Sequence, residues 1–355
     1  MKLPSSYRPA IASMAIAVAS TCLAFSPAAV GGSQSTATAR SSFRDTLDTL
    51  AHRALPGTLG IAVFDPRSGM SWRVNADRAY PMMSVFKAPV AAMILARIDA
   101  GTLSLDQKVT LTRADVRDGS AVPSIGEHFV GERMTFTVER LLVAAVSESD
   151  NTAADALVRL AGGPGEVTAF LKAHGIDGMR VDLDEGGVAS IFDDVQDGKP
   201  LPEHETPQQE HERRLRGFRA YLADPRNRST PDAAIAFLRK LWSGELLSHA
   251  STQRLIGLME AQTVPDRLRA GLPDGIRFAD KCGTSTSLDG QTAAYNDIGA
   301  ITWPDGHIVF VAAFLTASHA STAERNALFA ELGRDLAAAF GSWGPRSDAG
   351  KGGRQ

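Results

Sequence analysis

Apolar segments of strand length stand near both ends of this chain, and helical patterning fills the long interval between them. TLGIAVFD (58–65) and SWRVN (71–75) are strand candidates joined by the turn Pro66-Arg67-Ser68-Gly69. Strand character returns at IRFADKCGT (276–284), NDIGAITW (296–303) and HIVFVAAFLT (307–316), and Pro304-Asp305-Gly306 joins the last two as a hairpin. From about 105 to 270 the apolar spacing is helical, as in FTVERLLVAAVSES, NTAADALVRLA and TPDAAIAFLRKLWSG. A closing amphipathic helix runs from about Ser321 to Phe340. Strands so distant in sequence share a sheet only if the chain between them folds as an insertion. The expected fold is α/β (α+β), an antiparallel sheet flanked by helices with an inserted all-α subdomain. Its sheet part covers about 43–80 and 275–342, and its helical part about 81–274.

A length of 355 residues supports one large domain or two intimate subdomains with a real core. The 44% hydrophobic and 22% charged content is that of a soluble globular protein, and a formal charge of -3 provides no basic face for nucleic acid. Residues 1–39 read as an export signal: Lys2 and Arg8 lead an apolar run from Ala10 to Phe25, with cleavage expected between 26 and 39. The alternative is a retained anchor, although the run is short for a membrane span. Cys22 would leave with the signal, so Cys282 has no intramolecular partner and the core, not a disulfide, must hold the fold. The expectation is a periplasmic or secreted bacterial enzyme, monomeric, with no stable membrane insertion after signal removal. The catalytic domain is placed at 40–342, and residues 343–355 read as a disordered tail.

Three short motifs carry chemistry. In PMMSVFKAP (81–89), Ser84 and Lys87 stand three apart where an extended segment becomes helical, and Pro89 suggests a mild kink one turn in. Burial disfavours a charged lysine, so Lys87 there can accept the Ser84 proton, and a helix start offers donors to an oxyanion. Alone, S-x-x-K arises roughly once by chance in a chain this long, and a helix cap beside a solvated lysine explains it better. In SESDNTAAD (147–155), Ser149 can relay a proton and Asn151 can bind an amide carbonyl; both are also ordinary helix-cap residues. In ADKCGTSTS (279–287), Lys281 adds positive charge and Gly283 lets an extended substrate approach the strand edge. Thr284 offers a backbone donor opposite that of Ser84, and the hydroxyls of Thr284 and Ser285 suit a carboxylate. The plain alternative is an edge strand entering a polar loop.

Together and in this order the motifs match a known catalytic set of S-x-x-K, S-D-N and K-T-G. Here the chain resembles the class A β-lactamases, within the penicillin-recognising serine enzymes. The likeness covers most of 43–342, including RAYPMMSVFK, LARIDAGTLSLDQKV, SDNTAADALVRLAGGPGEVTAFLKAHG and LRKLWSGELLSHASTQRLIGLMEAQ. It implies a β-lactamase/transpeptidase-like fold, a β-lactam substrate, no cofactor and no metal. It also implies an acyl-enzyme on Ser84, with Lys87, Ser149 and Lys281 moving protons. Asn151, Gly283, Thr284 and Ser285 would bind substrate. Counting through family-like sequence in MRVDLDEGG places Glu185 as the base that activates the deacylating water; Glu203, Glu205, Glu210 and Glu212 are weaker rivals. Arg267 matches a position where some subgroups attract the substrate carboxylate, and Arg269 reads as structural, paired with Asp280.

The chain also departs from the family. Ala189 stands where an asparagine usually shares the hydrolytic water, and Leu183 and Asn227 replace the usual arginine–aspartate clamp of the loop. Cys282 replaces a hydroxyl residue, and near GSAVP (119–123) no aromatic stands where relatives often place one at the site entrance. The loop at about 183–228 is long: Thr206-Pro207-Gln208-Gln209 opens an extra helix with Leu215, Phe218 and Leu222 on one face. His204 and His211 lie in it without a metal-ligand pattern. These departures keep two other readings open: a D-alanyl-D-alanine peptidase-type hydrolase, and a β-lactam-binding protein that acylates and turns over poorly.

Overall fold

A computed structural model describes residues 32–195 and 200–341. The expected signal segment as far as residue 31, with Cys22, and the expected tail 343–355 lie outside the described residues. Of two compact units, Met1–Arg40 and Ser41–Gln355, the second holds every strand described.

In chain order these residues form α1 (Gly32–Arg53), β1 (Thr58–Asp65), β2 (Met70–Val74), β3 (Tyr80–Pro81), α2 (Lys87–Asp99) and β4 (Lys108–Thr112). Next come β5 (Arg133–Thr137), α3 (Val138–Val146), α4 (Asn151–Leu160), α5 (Pro164–Ala173) and α6 (Glu185–Phe192). The helical part ends with α7 (Pro207–Ala223), the short β6 (Arg228–Ser229), α8 (Pro231–Trp242) and α9 (His249–Glu260). The chain then returns to the sheet with β7 (Arg277–Thr284), β8 (Ser287–Leu288), β9 (Gln291–Thr302) and β10 (Ile308–Ser318), and closes with α10 (Thr322–Gly341).

The sheet is antiparallel in the order β2-β1-β10-β9-β7, with β8 paired to β9. Strands from the two ends of the domain lie side by side, Ile61 opposite Ala313, so the helical part is an insertion as its position required. Successive strand residues face opposite ways. In β10, Val309, Val311, Ala313 and Leu315 meet α1 and α10, whereas Phe310, Ala312 and Phe314 meet the inserted helices. Both faces are covered, which is why HIVFVAAFLT reads as a continuous apolar run rather than an alternating one. Phe43, Leu47 and Leu50 of α1 pack with Leu332, Leu336 and Phe340 of α10 on the outer face. Each such side chain, fully buried, stabilises the fold by roughly 1.5–3 kcal/mol.

Three local features differ from expectation. Helix α1 is absent from the sequence reading, although Phe43, Leu47, Leu50 and Ala54 repeat at helical spacing. β4 and β5 pair across a long connection inside the otherwise helical part, where the separation conceals the ladder. Pro89 falls in the first turn of α2, which begins at Lys87, so its missing N–H gives no cause for a kink.

Candidate active site

Ser84 does not open an α-helix. It lies in a 3-10 turn, Met83–Phe86, that runs into α2 at Lys87. Three residues per turn eclipse positions i and i+3, so Ser84 and Lys87 still share a face. Met83 has left-handed backbone, φ +46°, which is rare outside glycine and has to be held by its surroundings. Asn296 Nδ2 donates to the carbonyls of Pro81 and Met82 at 2.7 and 3.0 Å, and Met82 N donates to Asn227 O at 3.0 Å. From the other side β7 lies so close that a Cβ at Gly283 would overlap the Met82 carbonyl and stand 3.1 Å from Ser84 N. Gly283 was expected to admit substrate; its close neighbour is the Ser84 turn itself.

Behind this turn lies a buried polar network. Lys87, fully buried, donates to Ser149 O at 2.8 Å and Asn151 Oδ1 at 2.6 Å, with Ser149 Oγ at 3.5 Å. Glu185 Oε1 stands 2.9 Å from the same ammonium. Lys281, also fully buried, donates to Ser149 Oγ at 3.0 Å and to Cys282 O at 3.1 Å. Burial pushes the Lys281 ammonium below its usual value; Cys282 and Asp280 oppose the shift and Lys87 adds to it. Ser149, in the turn between α3 and α4, also has left-handed backbone at φ +58°. The Asp150 carboxylate fixes that turn, accepting from Ala153 N at 2.7 Å and Ile125 N at 2.9 Å. Lys87, Ser149, Asn151 and Lys281 from the three motifs, and Glu185 from a fourth segment, are thus joined through two ammonium groups.

Glu185 is the first residue of α6, and three side chains hold it there. Asp184 caps the helix, accepting from Gly187 N at 2.8 Å. Asp155 of α4 accepts from Glu185 N at 2.6 Å and Gly186 N at 3.2 Å. Burial, with the neighbouring Asp184 carboxylate, pushes the Asp155 carboxyl up to about 6, against the pull of the Glu185 N–H and Arg117. Asn227, buried and at φ +49°, accepts from Asp182 N at 2.7 Å and Leu183 N at 2.9 Å and donates to Leu183 O at 2.9 Å. The arginine–aspartate clamp is absent, as the sequence indicated, yet the loop is still clamped by an amide on its backbone. Among the rival carboxylates, Glu205 pairs with buried Arg213 at 3.0 Å, Glu210 stands 3.9 Å from Arg214, and Glu212 accepts from Gln208.

An open cleft of about 410 Å³ faces these groups, lined in part by Met83, Asn151, Glu185, Thr284, Phe192 and Phe218. Asn151 gives one amide hydrogen to Asp118 O at 2.7 Å. Thr284 lines the cleft, but Ser285 does not: its hydroxyl donates to Thr286 O and accepts from Ala294 N, both at 2.9 Å, so Thr286 takes the cleft position beside Thr284. Arg267 is buried over the Tyr295 ring at 4.3 Å and reaches the cleft only through a hydrogen bond to Thr284 Oγ1. Arg269 pairs with Asp280 at 2.6 Å. Cys282 shares the face of Asp280, opposite Lys281, and its sulfur accepts from Gln262 Nε2 at 3.3 Å away from the cleft. The extra helix is present as α7 with its expected cap, but its buried face is Arg213, Gly217, Phe218 and Tyr221 rather than Leu215. Asp155, Tyr221 and the amide role of Asn227 escaped the sequence reading; an acid among the apolar residues of NTAADALV, four after Asn151, was the available signal for Asp155.

Comparison with known proteins finds similarity to β-lactamases along most of the chain. A family model described as the beta-lactamase enzyme family matches residues 42–340. The extended-spectrum beta-lactamase PER-1 of Pseudomonas aeruginosa is 32% identical over 276 residues, 78% of this chain and 80% of that protein. Beta-lactamase VEB-1 of the same organism is 31% identical over 269 residues, 75% of this chain and 80% of that protein. Among solved structures, a beta-lactamase from Chitinophaga pinensis is similar with TM-score 0.71 and 29% identity, covering 84% of this chain and 99% of that one. An ancestral class A beta-lactamase gives TM-score 0.67 and 36% identity, covering 84% and 100%.

Proposed function

This chain belongs to the beta-lactamase enzyme family, and we propose that it hydrolyses the β-lactam amide through an acyl-enzyme on Ser84, released by water that Glu185 activates. The observation that carries the reading is the 2.9 Å approach of Glu185 to Lys87, itself hydrogen-bonded to Ser149. It brings a carboxylate to the buried proton-relay side of the nucleophile.

In acylation, Ser84 Oγ bonds to the ring carbonyl carbon and gives up its proton to the Lys87–Glu185 pair. Backbone N–H groups of Ser84 and Thr284 receive the oxyanion; losing one such donor typically lowers the rate roughly a hundredfold or more. The C–N bond then breaks, and the nitrogen takes a proton through Ser149, whose hydroxyl lies 3.0 Å from Lys281. Asn151 has a second amide hydrogen for the substrate's side-chain carbonyl. Thr284, polarised by buried Arg267, receives the substrate carboxylate. In deacylation, Glu185 takes a proton from water as the water oxygen bonds to the ester carbon, and the departing Ser84 oxygen is reprotonated. A positioned base contributes roughly a hundredfold to ten-thousandfold.

Ala189 lines the cleft without a polar side chain, which keeps alive a reading in which the acyl group stays on Ser84, as well as a peptidase reading. Time-resolved intact-mass measurement of residues 40–355 with a penicillin and a cephalosporin separates the three. A transient adduct that requires Ser84 and persists in Glu185→Gln is the expected result. A lasting adduct in the unaltered protein sinks the hydrolytic reading, and absence of any adduct sinks the β-lactam reading. Export to the periplasm or medium as a monomer belongs to the same proposal. The N-terminal sequence of the mature protein and its sedimentation test it.

A further inference from the structure

We propose that α7 is a positioning strut that holds α6, and with it Glu185, in register with the Ser84 turn; the inference rests on the hydrolytic role given to Glu185. Helix α6 has eight residues, too few to hold its own position in water. Its N-terminus is fastened by Asp155 and Asp184, and its other end is fastened by α7.

The seam is unusually close. Gly217 of α7 lies against the last residues of α6, and a Cβ there would overlap the carbonyl oxygens of Ile191 and Phe192. Buried Arg213, one turn earlier, donates to the carbonyl of Asp193, the residue that ends α6, at 2.6 Å. Its fork is held on Glu205, with Nε 3.0 Å from both carboxylate oxygens. Glu205, which the sequence offered as a rival base, instead locks Arg213.

The same helix also touches the nucleophile side. Val188 of α6, Phe218 and Tyr221 of α7 and Ala293 of β9 form a small separate core, against which Met83 and Phe192 pack. Tyr221 stacks near Phe192 with ring centroids 4.2 Å apart, and its hydroxyl donates to Met83 Sδ at 2.8 Å. Met83 immediately precedes Ser84 and has the left-handed backbone noted above. At the end of α7, Arg228 donates to the carbonyls of Tyr221 and Leu222 at 2.7 and 2.9 Å, and Arg228 itself pairs with Pro81 in β3, which leads into the Ser84 turn. One element therefore grips both the water-activating helix and the residue before the nucleophile.

The test uses the full chain with Gly217→Ala and Arg213→Lys, followed by amide hydrogen exchange over 185–192 and by separate acylation and deacylation time courses with benzylpenicillin. Gly217→Ala should raise exchange over 185–192 and slow deacylation by about tenfold or more, with acylation changed far less, because small misplacements of catalytic groups carry large rate penalties. Arg213→Lys keeps the charge toward Glu205 but loses the fork, and should give a smaller change in the same direction; it decides the matter if Gly217→Ala does not fold. Unchanged exchange over 185–192 in the folded variants, or equal slowing of both steps, overturns the strut. Exchange needs no turnover, so the strut is judged even if Ser84 forms no adduct, a result that would overturn the hydrolytic reading instead.

Discussion

The two halves of the site are held by different kinds of structure. Ser84, Lys87, Ser149 and Lys281 stand on elements packed into the main core, and Lys87 and Lys281 are fully buried. Glu185 stands on a two-turn helix secured by polar side chains and by a small core of its own. A nucleophile half embedded in the main core changes little without unfolding the domain. A water half fastened from outside can change its fastenings, and here the neutral Asn227 amide and helix α7 supply two of them. Geometry at Glu185 should therefore fail before geometry at Ser84 does.

The largest expected break is in the half that looks most rigid. Lys87→Met leaves Glu185 buried beside no cation, which should lower stability by roughly 3–5 kcal/mol and acylation by about a thousandfold. Pre-steady-state acylation and thermal unfolding measure the two effects, and a loss confined to deacylation would contradict the division drawn here. Asn227→Ala attacks the other half. It strips two N–H groups and one carbonyl of their partner, and should lower stability by about 2–4 kcal/mol and slow deacylation more than acylation. Equal slowing would mean that the Asn227 backbone, whose carbonyl accepts from Met82 N, passes the loss of the side chain on to the Ser84 turn as much as to the Glu185 loop.

The comparison is sharpened by pH. The folded carboxyl of Asp155 titrates at about 6 against an ordinary 3.8, so between those values the folded chain binds more protons than the unfolded one. Stability contributed by this group is therefore lost as pH rises from about 4 to 6, by roughly 3 kcal/mol in all. Asp155→Asn should flatten that part of the profile relative to the unaltered protein, which denaturant unfolding at several pH values measures; identical slopes would remove Asp155 as the cause. The smallest effect belongs to Cys282→Ser. The thiol faces Gln262 and not the cleft, so kcat/KM for a penicillin should change by less than about threefold and stability by about 1 kcal/mol or less. A larger change in kcat/KM would show that the outer face of β7 acts on Lys281.

Much of the arrangement around Ser84 was legible because its signals are local. Ser84 and Lys87 lie within one turn, Ser149 and Asn151 within one inter-helix turn, and Lys281 to Thr284 along one strand end. The reading was incomplete where a residue's partner is distant. Ser285 looked free for a carboxylate, yet its hydroxyl is engaged by Ala294 across the strand pair. Gly283 was read as a place for substrate, and its closeness to the Ser84 turn was not visible in that reading. Asn227 looked like a lost ion pair, because the sequence shows the charge that is missing but not the three backbone groups its amide meets.

By itself the sequence determined the split sheet, the inserted helices, the order of the catalytic motifs and a capped extra helix after Thr206. All of these follow from periodicity, turn chemistry and residue identity over a few neighbouring positions. Only the tertiary structure decided that Glu185, rather than Glu205 or Glu210, meets Lys87, that Arg267 lies behind Thr284, and that α7 touches both α6 and Met83. Those are contacts between segments far apart in the chain, and the packing of one layer on another sets them; no spacing along the sequence encodes that distance.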